Sequence, residues 1–151
     1  MRYINGDVFA SNADAILHQV NCQGVMGSGV AKQVKEKYPI VFEYYKSWCD
    51  NPSLKPGLLG QAQIVYTDDS GKQAIINLFA QDGFGAGKRY TDYDALRKCL
   101  NSVNRQWKGH SIAIPYLMGC CRGGGDWQVV SKIIEEELLD CDVIIYKYNG
   151  R

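Results

Sequence analysis

The residues best suited to chemistry in this sequence cluster in two glycine-rich turns, each set directly after an apolar run. Asn21-Cys22-Gln23-Gly24-Val25-Met26-Gly27-Ser28-Gly29 follows Ala15 to Val20, and Gly119-Cys120-Cys121-Arg122-Gly123-Gly124-Gly125 follows Ile112 to Leu117. Glycine lacks a Cβ, so backbone N–H groups in such a turn can close around an anion. Each turn runs into a helical pattern, and a helix start adds free N–H groups and partial positive charge. The second turn holds no acidic residue before Asp126, which suits an anion. Two such turns in one small domain suggest a diphosphate held from both sides, and hence a nucleotide-like ligand.

Other side chains near these turns carry possible roles. His18 stands three residues before the first turn, in Ile16-Leu17-His18-Gln19-Val20-Asn21. A histidine titrates near neutrality and can transfer a proton; it can equally be a packed, hydrogen-bonded residue of the sheet. Asn21 offers a carboxamide at the strand tip, either to a ribose hydroxyl or to the turn itself. Asp7, in Asn5-Gly6-Asp7-Val8-Phe9, could accept from the amino group of an adenine base or cap the turn before Ala10. Tyr146 could stack on a base. A third glycine-rich segment, Gln81 to Tyr90, is no Walker A motif, because Asp82 replaces its first glycine and Arg89 its Ser or Thr. It reads as a flap whose Lys88 and Arg89 either meet phosphates or a negative leaving group or are simply solvated.

The elements that must position these groups alternate in type. Strands are expected at Met1–Asn5, Ala15–Asn21, Gly60–Thr67, Gln73–Phe79, Ser111–Leu117 and Val143–Tyr148; near-continuous apolar runs such as Val143-Ile144-Ile145-Tyr146 suit strands covered on both faces. Pro115 argues against full pairing at its position. Helices are expected over Val30 to Lys37, stopped by Pro39, and over Ile40 to Cys49. A third is marked by Tyr93, Leu96, Leu100, Val103 and Trp107, with Thr91 and Asp94 resembling a capping box. A fourth, through Val130, Ile133, Ile134 and Leu138, begins at Asp126 as N-cap. The alternation predicts an α/β domain with a mixed, largely parallel sheet of six strands and helices on both faces. Ligands of such folds sit outside the carboxyl ends of strands, which is where both glycine turns fall.

The 151 residues suit one domain, and 46% hydrophobic with 22% charged residues is ordinary globular composition. A formal net charge of +1 gives no field that would draw the chain to DNA or a membrane. No run approaches the roughly 18–20 apolar residues of a membrane span, and the first residues lack the apolar core of a signal peptide. The six cysteines read as reduced thiols of a cytoplasmic protein rather than a disulfide framework. No metal site is expected, since Cys120 and Cys121 are adjacent and His18 and His110 lie far apart.

Taken together, and in this order, these residues resemble the macrodomain family. The resemblance runs from Gly6-Asp7-Val8-Phe9 to Val143-Ile144-Ile145-Tyr146. It is most specific at His18-Gln19-Val20-Asn21-Cys22-Gln23-Gly24 with Gly27-Ser28-Gly29-Val30-Ala31, and at Ile114-Pro115, Met118-Gly119-Cys120 and Gly124-Gly125-Asp126-Trp127. The Asn-Cys-Gln-Gly form is similar to the branch holding the ADP-ribose-1″-phosphate phosphatases and terminal ADP-ribose glycohydrolases. The resemblance implies a single macrodomain over residues 1–151, built as a three-layer α/β/α sandwich that binds ADP-ribose. Asp7 and Val8 would contact adenine and Tyr146 would stack on it. Asn21 would reach the distal ribose, and Gly27, Ser28, Gly29 and Val30 would line the phosphate and distal-ribose side. Gly119, Cys120, Cys121, Arg122 and Gly123 would wrap the diphosphate.

The glycohydrolases of that branch use a lysine just beyond the fourth strand and an aspartate inside the second turn. This chain has Phe79-Ala80-Gln81 at the first place, with Lys88 the nearest lysine, and Gly123 near the second. The phosphatase-like members carry a histidine matching His18. The expected activity is hydrolysis of a phosphate, acetyl or ADP-ribosylated acceptor from the distal ribose, with His18, Asn21 and Lys88 as catalytic residues. Neither cofactor nor metal is called for. The expected partners are ADP-ribose derivatives, including ADP-ribosylated protein or nucleic acid, with no membrane. The alternative is a reader module that binds ADP-ribose without turnover. A nucleic-acid-binding module is disfavoured by the balanced charge.

Overall fold

The computed structural model describes residues 1–148, in which six strands form one sheet. They are β1 (Arg2–Asn5), β2 (Ala15–Asn21), β3 (Ala62–Tyr66), β4 (Ala74–Gln81), β5 (Ser111–Pro115) and β6 (Asp142–Lys147). Their spatial order is β1-β6-β5-β2-β4-β3. Every neighbouring pair is parallel except β3 with β4, so the sheet is mixed and largely parallel. Four α-helices, α1 (Gly29–Lys37), α2 (Pro39–Cys49), α3 (Tyr93–Gln106) and α4 (Trp127–Glu137), complete a three-layer α/β/α sandwich.

The layers follow from the two-residue period of a strand. Ala15 and Leu17 of β2 face one way and join Leu96, Leu100, Val103, Ile133 and Ile134 in the core under α3 and α4. Ile16 and Val20 face the other way, against Val34, Val41, Tyr45 and Cys49 of α1 and α2. All eight residues of β4 are buried, as its apolar run requires. Each fully buried Leu or Ile contributes roughly 1.5–3 kcal/mol.

Several boundaries differ from the sequence expectation, each for a local reason. β5 ends at Pro115, two residues early. Pro115 is nevertheless in register with Tyr146 of β6, and Tyr116 N still donates to Tyr146 O at 2.9 Å; Leu117 then turns off the sheet with φ of 65°. β4 instead continues to Gln81, held by a bridge to Thr91. The cap of α3 is Asp92, whose carboxylate accepts from Ala95 N at 3.0 Å, not Thr91. Thr91 Oγ1 donates to Gly119 O at 2.7 Å. Pro39 does more than stop α1, since it is the first residue of α2, where a missing N–H costs nothing. Asp126 caps α4 as expected, accepting from Gln128 N at 2.8 Å. All six cysteines are free thiols. Among the described residues no helix is long and apolar enough to cross a membrane, and no cluster of His, Cys, Asp or Glu is arranged to hold a metal ion.

Candidate active site

A cleft of about 630 Å³ opens beyond the carboxyl ends of β2 and β5. Both glycine turns line it. On one wall stand Gly27, Ser28, Gly29, Val30 and Ala31, the entry to α1. In the first turn of a helix the N–H groups have no carbonyl four residues back, so Gly29, Val30 and Ala31 present free donors here. Gly29 takes φ of +60°, the left-handed region that favours glycine. Ser28 is the N-cap in position, yet its side chain makes no capping bond.

The opposite wall is the second turn, with Gly119, Cys121, Arg122 and Gly123 lining the cleft. The N–H groups of Cys121, Arg122 and Gly123 make no main-chain hydrogen bond, whereas those of Cys120, Gly124 and Gly125 close the turn on itself. Arg122 is the one Lys or Arg among the described lining residues, and no carboxylate lines the cleft. Two sets of free amides and one guanidinium therefore favour an anion lying between them.

The turns are held differently. Asn21 governs the first: its Oδ1 accepts from Gln23 N at 3.0 Å and from the Tyr45 hydroxyl at 2.6 Å, while Nδ2 donates to Val25 O at 2.9 Å. The Tyr45 oxygen in turn accepts from Val25 N at 3.1 Å. Burial pushes the Tyr45 phenol well above its ordinary pKa, so it stays a neutral donor. The second turn is fixed by close backbone packing. Gly123 O accepts from Tyr90 N at 2.7 Å and Thr91 N at 2.8 Å. A Cβ on Gly123 would overlap the Thr91 hydroxyl and lie 2.6 Å from Gly119 O. No side chain fits there, an aspartate included.

His18 lies at the floor of the cleft, 1% exposed. Its Nε2 is 2.5 Å from Asn77 Oδ1, and its Nδ1 is buried with no partner. Burial lowers its pKa to about 4, the Asn77 hydrogen bond acting weakly the other way, so the ring is neutral at pH 7. Beside it, Gln19 Nε2 donates to Gln81 Oε1 and to Thr91 Oγ1, both at 2.8 Å.

The cleft gathers most residues singled out in the sequence: Val8, His18, Asn21, Gly27, Ser28, Gly29, Val30, Gly119, Cys121, Arg122, Gly123 and Tyr146. Four stand apart from its lining. Asp7 accepts from Phe9 N at 2.9 Å and caps the turn Val8–Ala10. Cys120 packs on the α3/α4 core, and burial pushes its thiol up to about 11. Lys88 lays its ammonium 4.9 Å over the ring of Tyr90, and Arg89 its guanidinium 4.3 Å over Tyr93. The segment bearing them is tied at both ends. Gln23 bonds Asp82 and Gly83 N, and Gly85 N donates to Arg122 O at 3.4 Å.

The structure adds lining residues that sequence reasoning passed over, among them Gln19, Gln81, Phe84, Tyr116, Leu117 and Tyr148. Leu117 is the one described non-glycine residue with positive φ. Such strain gathers at functional sites, but no residue type announces it.

With this geometry in hand, similarity to known proteins is specific. The Macro domain family model matches residues 17–134. A Mycobacterium tuberculosis protein named DNA ADP-ribosyl glycohydrolase is 32% identical over 152 aligned residues, covering 98% of this chain and 42% of that protein. The chain thus spans less than half the length of that relative. An ADP-ribose 1″-phosphate phosphatase from Meyerozyma guilliermondii is 33% identical over 104 residues, covering 61% of this chain and 59% of that one. Among solved structures, the macrodomain of Mycobacterium tuberculosis DarG superposes with a TM-score of 0.77 at 28% identity, covering 97% of each chain.

Proposed function

This chain belongs to the Macro domain family, and from that premise we propose that its cleft binds ADP-ribose derivatives and hydrolyses a substituent from the distal ribose. One observation carries the reading: the first-turn amides of α1 and the amides of Cys121, Arg122 and Gly123 face the same cleft. That is the arrangement a diphosphate bridge needs. Tyr146 and Tyr148 line the cleft and offer aromatic faces to adenine, with Val8 beneath and Asp7 beside it. Asn21, Gly27, Ser28 and Val30 take the distal ribose. The known activities of the two relatives, on ADP-ribosylated DNA and on ADP-ribose 1″-phosphate, bracket the substrate class by name. ADP-ribosylated nucleic acid or protein is the proposed physiological acceptor.

In this mechanism, clamping the ADP half fixes the distal ribose against the cleft floor, and positioning alone supplies much of the barrier reduction. His18, neutral at pH 7, orients the attacking water. Asn21 holds the first turn and keeps one amide hydrogen for the ribose. Lys88 stabilises developing negative charge by leaving the ring of Tyr90 and turning inward, so Lys88→Ala lowers kcat about tenfold with ADP-ribose affinity unchanged. The activity is assigned to one domain over residues 1–151, of which 149–151 lie outside the described residues. Six free thiols support a reducing compartment, the cytoplasm.

A second reading has an observation of its own. Gly123 has no room for a side chain and Gln81 occupies the end of β4, so the lysine–aspartate pair of the related glycohydrolases has no place here. That favours a reader that binds without turnover. Incubation with ADP-ribose 1″-phosphate, O-acetyl-ADP-ribose, ADP-ribosylated DNA and ADP-ribosylated protein, with products resolved by mass, separates the two. Release of one substituent supports the hydrolase. Tight ADP-ribose binding in calorimetry with every derivative intact selects the reader.

A further inference from the structure

Three polar side chains cross the apolar sheet in one row. His18 of β2 is directly opposite Asn77 of β4, and Asn77 is directly opposite Gln63 of β3. They are 1%, 0% and 2% exposed. All three lie on the face that carries α1 and α2. The row ends at the main-chain carbonyl of Tyr44 in α2.

That carbonyl sets the direction of every bond in the row, because it can only accept. Gln63 must therefore turn its Nε2 to Tyr44 O, 3.0 Å away, which points Oε1 at Asn77. Asn77 must then donate Nδ2 to Gln63 Oε1 at 3.0 Å, which points Oδ1 at His18. His18 must answer with a hydrogen on Nε2, 2.5 Å from that oxygen. A flipped amide anywhere would set oxygen against oxygen in the core, and each buried group left unpaired costs about 1–3 kcal/mol. A neutral imidazole carries one ring hydrogen, so Nδ1 is left as a bare lone pair. Nδ1 is buried and unpartnered within a residue that lines the cleft.

We propose that Asn77 and Gln63 are positioning residues that hold His18 in the Nε2–H tautomer, making Nδ1 a fixed hydrogen-bond acceptor at the cleft floor for a ribose hydroxyl or the hydrolytic water. The identity of that donor rests on the ADP-ribose reading; the tautomer does not. An imidazole held this way accepts a hydrogen bond but has no proton to give a leaving group. No ionisable side chain contributes to its protonation behaviour, which burial and Asn77 alone set. The leaving oxygen must take its proton from elsewhere, with solvent the source the open cleft supplies.

The test is a two-bond ¹H–¹⁵N spectrum of histidine-labelled protein at neutral pH, with His110→Gln to assign the only other ring. The expected result is a neutral His18 with hydrogen on Nε2 and a lone pair on Nδ1, and an ADP-ribose-induced shift at Nδ1. Gln63→Met frees Asn77 to rotate, so the Nδ1–H form should appear and kcat should fall about tenfold with ADP-ribose affinity held within about twofold. An imidazolium or an Nδ1–H ring in the unaltered protein overturns the proposal without recourse to any variant. So does a folded Gln63→Met protein with the tautomer unchanged. If ADP-ribose fails to bind while the Nε2–H tautomer is seen, the positioning claim stands and the proposed function falls.

Discussion

The two glycine turns face one cleft, yet they are built in opposite ways. The first is held from beneath by side chains: Asn21 satisfies Gln23 and Val25, Tyr45 satisfies Asn21, and three residues earlier His18 begins the polar row of the sheet. The second is held mainly by close backbone packing, with one side-chain bond from Thr91 Oγ1 to Gly119 O. Gly123 and Gly124 lie against the backbone of Gly119 and Lys88 and against the Thr91 hydroxyl, where a Cβ would overlap its neighbours. A turn built on side chains can be loosened bond by bond, and each bond carries a modest net energy. A turn packed this closely tolerates little, because the Gly119 and Lys88 carbonyls, within 2.6 Å of the added Cβ positions, cannot swing aside as a side chain could.

The largest effect expected from that contrast is at Gly123. Gly123→Ala places a Cβ on the Thr91 hydroxyl and near Gly119 O. The cost should be about 3 kcal/mol of stability, read by urea unfolding, with ADP-ribose affinity lost by about a hundredfold or more because the amides shift. Unchanged affinity would break the account of the second turn.

Acid should next undermine the floor below the first turn. Burial holds His18 near 4 in the folded chain against 6.5 unfolded. Between those values the unfolded state binds a proton that the folded state lacks, so stability falls as pH drops from 6.5 toward 4. The loss amounts to about 3 kcal/mol across the window. Unfolding free energies at pH 7 and pH 4.5 should fall further in the unaltered protein than in His18→Met. Equal slopes would remove His18 from the contrast.

Tyr45→Phe gives the smallest effect. It deletes one donor to Asn21 and the acceptor for Val25 N, costing about 1–2 kcal/mol. Affinity should weaken by several-fold but not vanish, since Asn21 keeps Gln23 N and Val25 O. A loss as large as that of Gly123→Ala would show that the two turns are equally brittle.

The same contrast explains what the sequence made legible. Glycine is a positive signal of backbone exposure, so both turns could be found from residue order alone. The apolar run of β2 announced a covered strand, whereas that of β6 buries only Val143 and Ile145, on one face. Thr91 misled as a cap because its hydroxyl serves Gly119 across the sheet end, while Asp92 serves the helix. Lys88 named a charge near the cleft but not its direction, which Tyr90 sets. The polar row could not be read at all. Gln63, Asn77 and His18 lie on three strands separated along the chain, and only the register of β2, β4 and β3 brings them side by side. Asparagine or glutamine within an apolar run reveals nothing of its partner until that pairing is known.

The most direct trial of the central claim is a crystal structure of the protein soaked with ADP-ribose. The diphosphate should lie between the amides of Gly29, Val30 and Ala31 and those of Cys121, Arg122 and Gly123, with the distal ribose toward His18. A diphosphate bound away from both sets of amides, or no bound ligand at a concentration that saturates other members of the family, would contradict it.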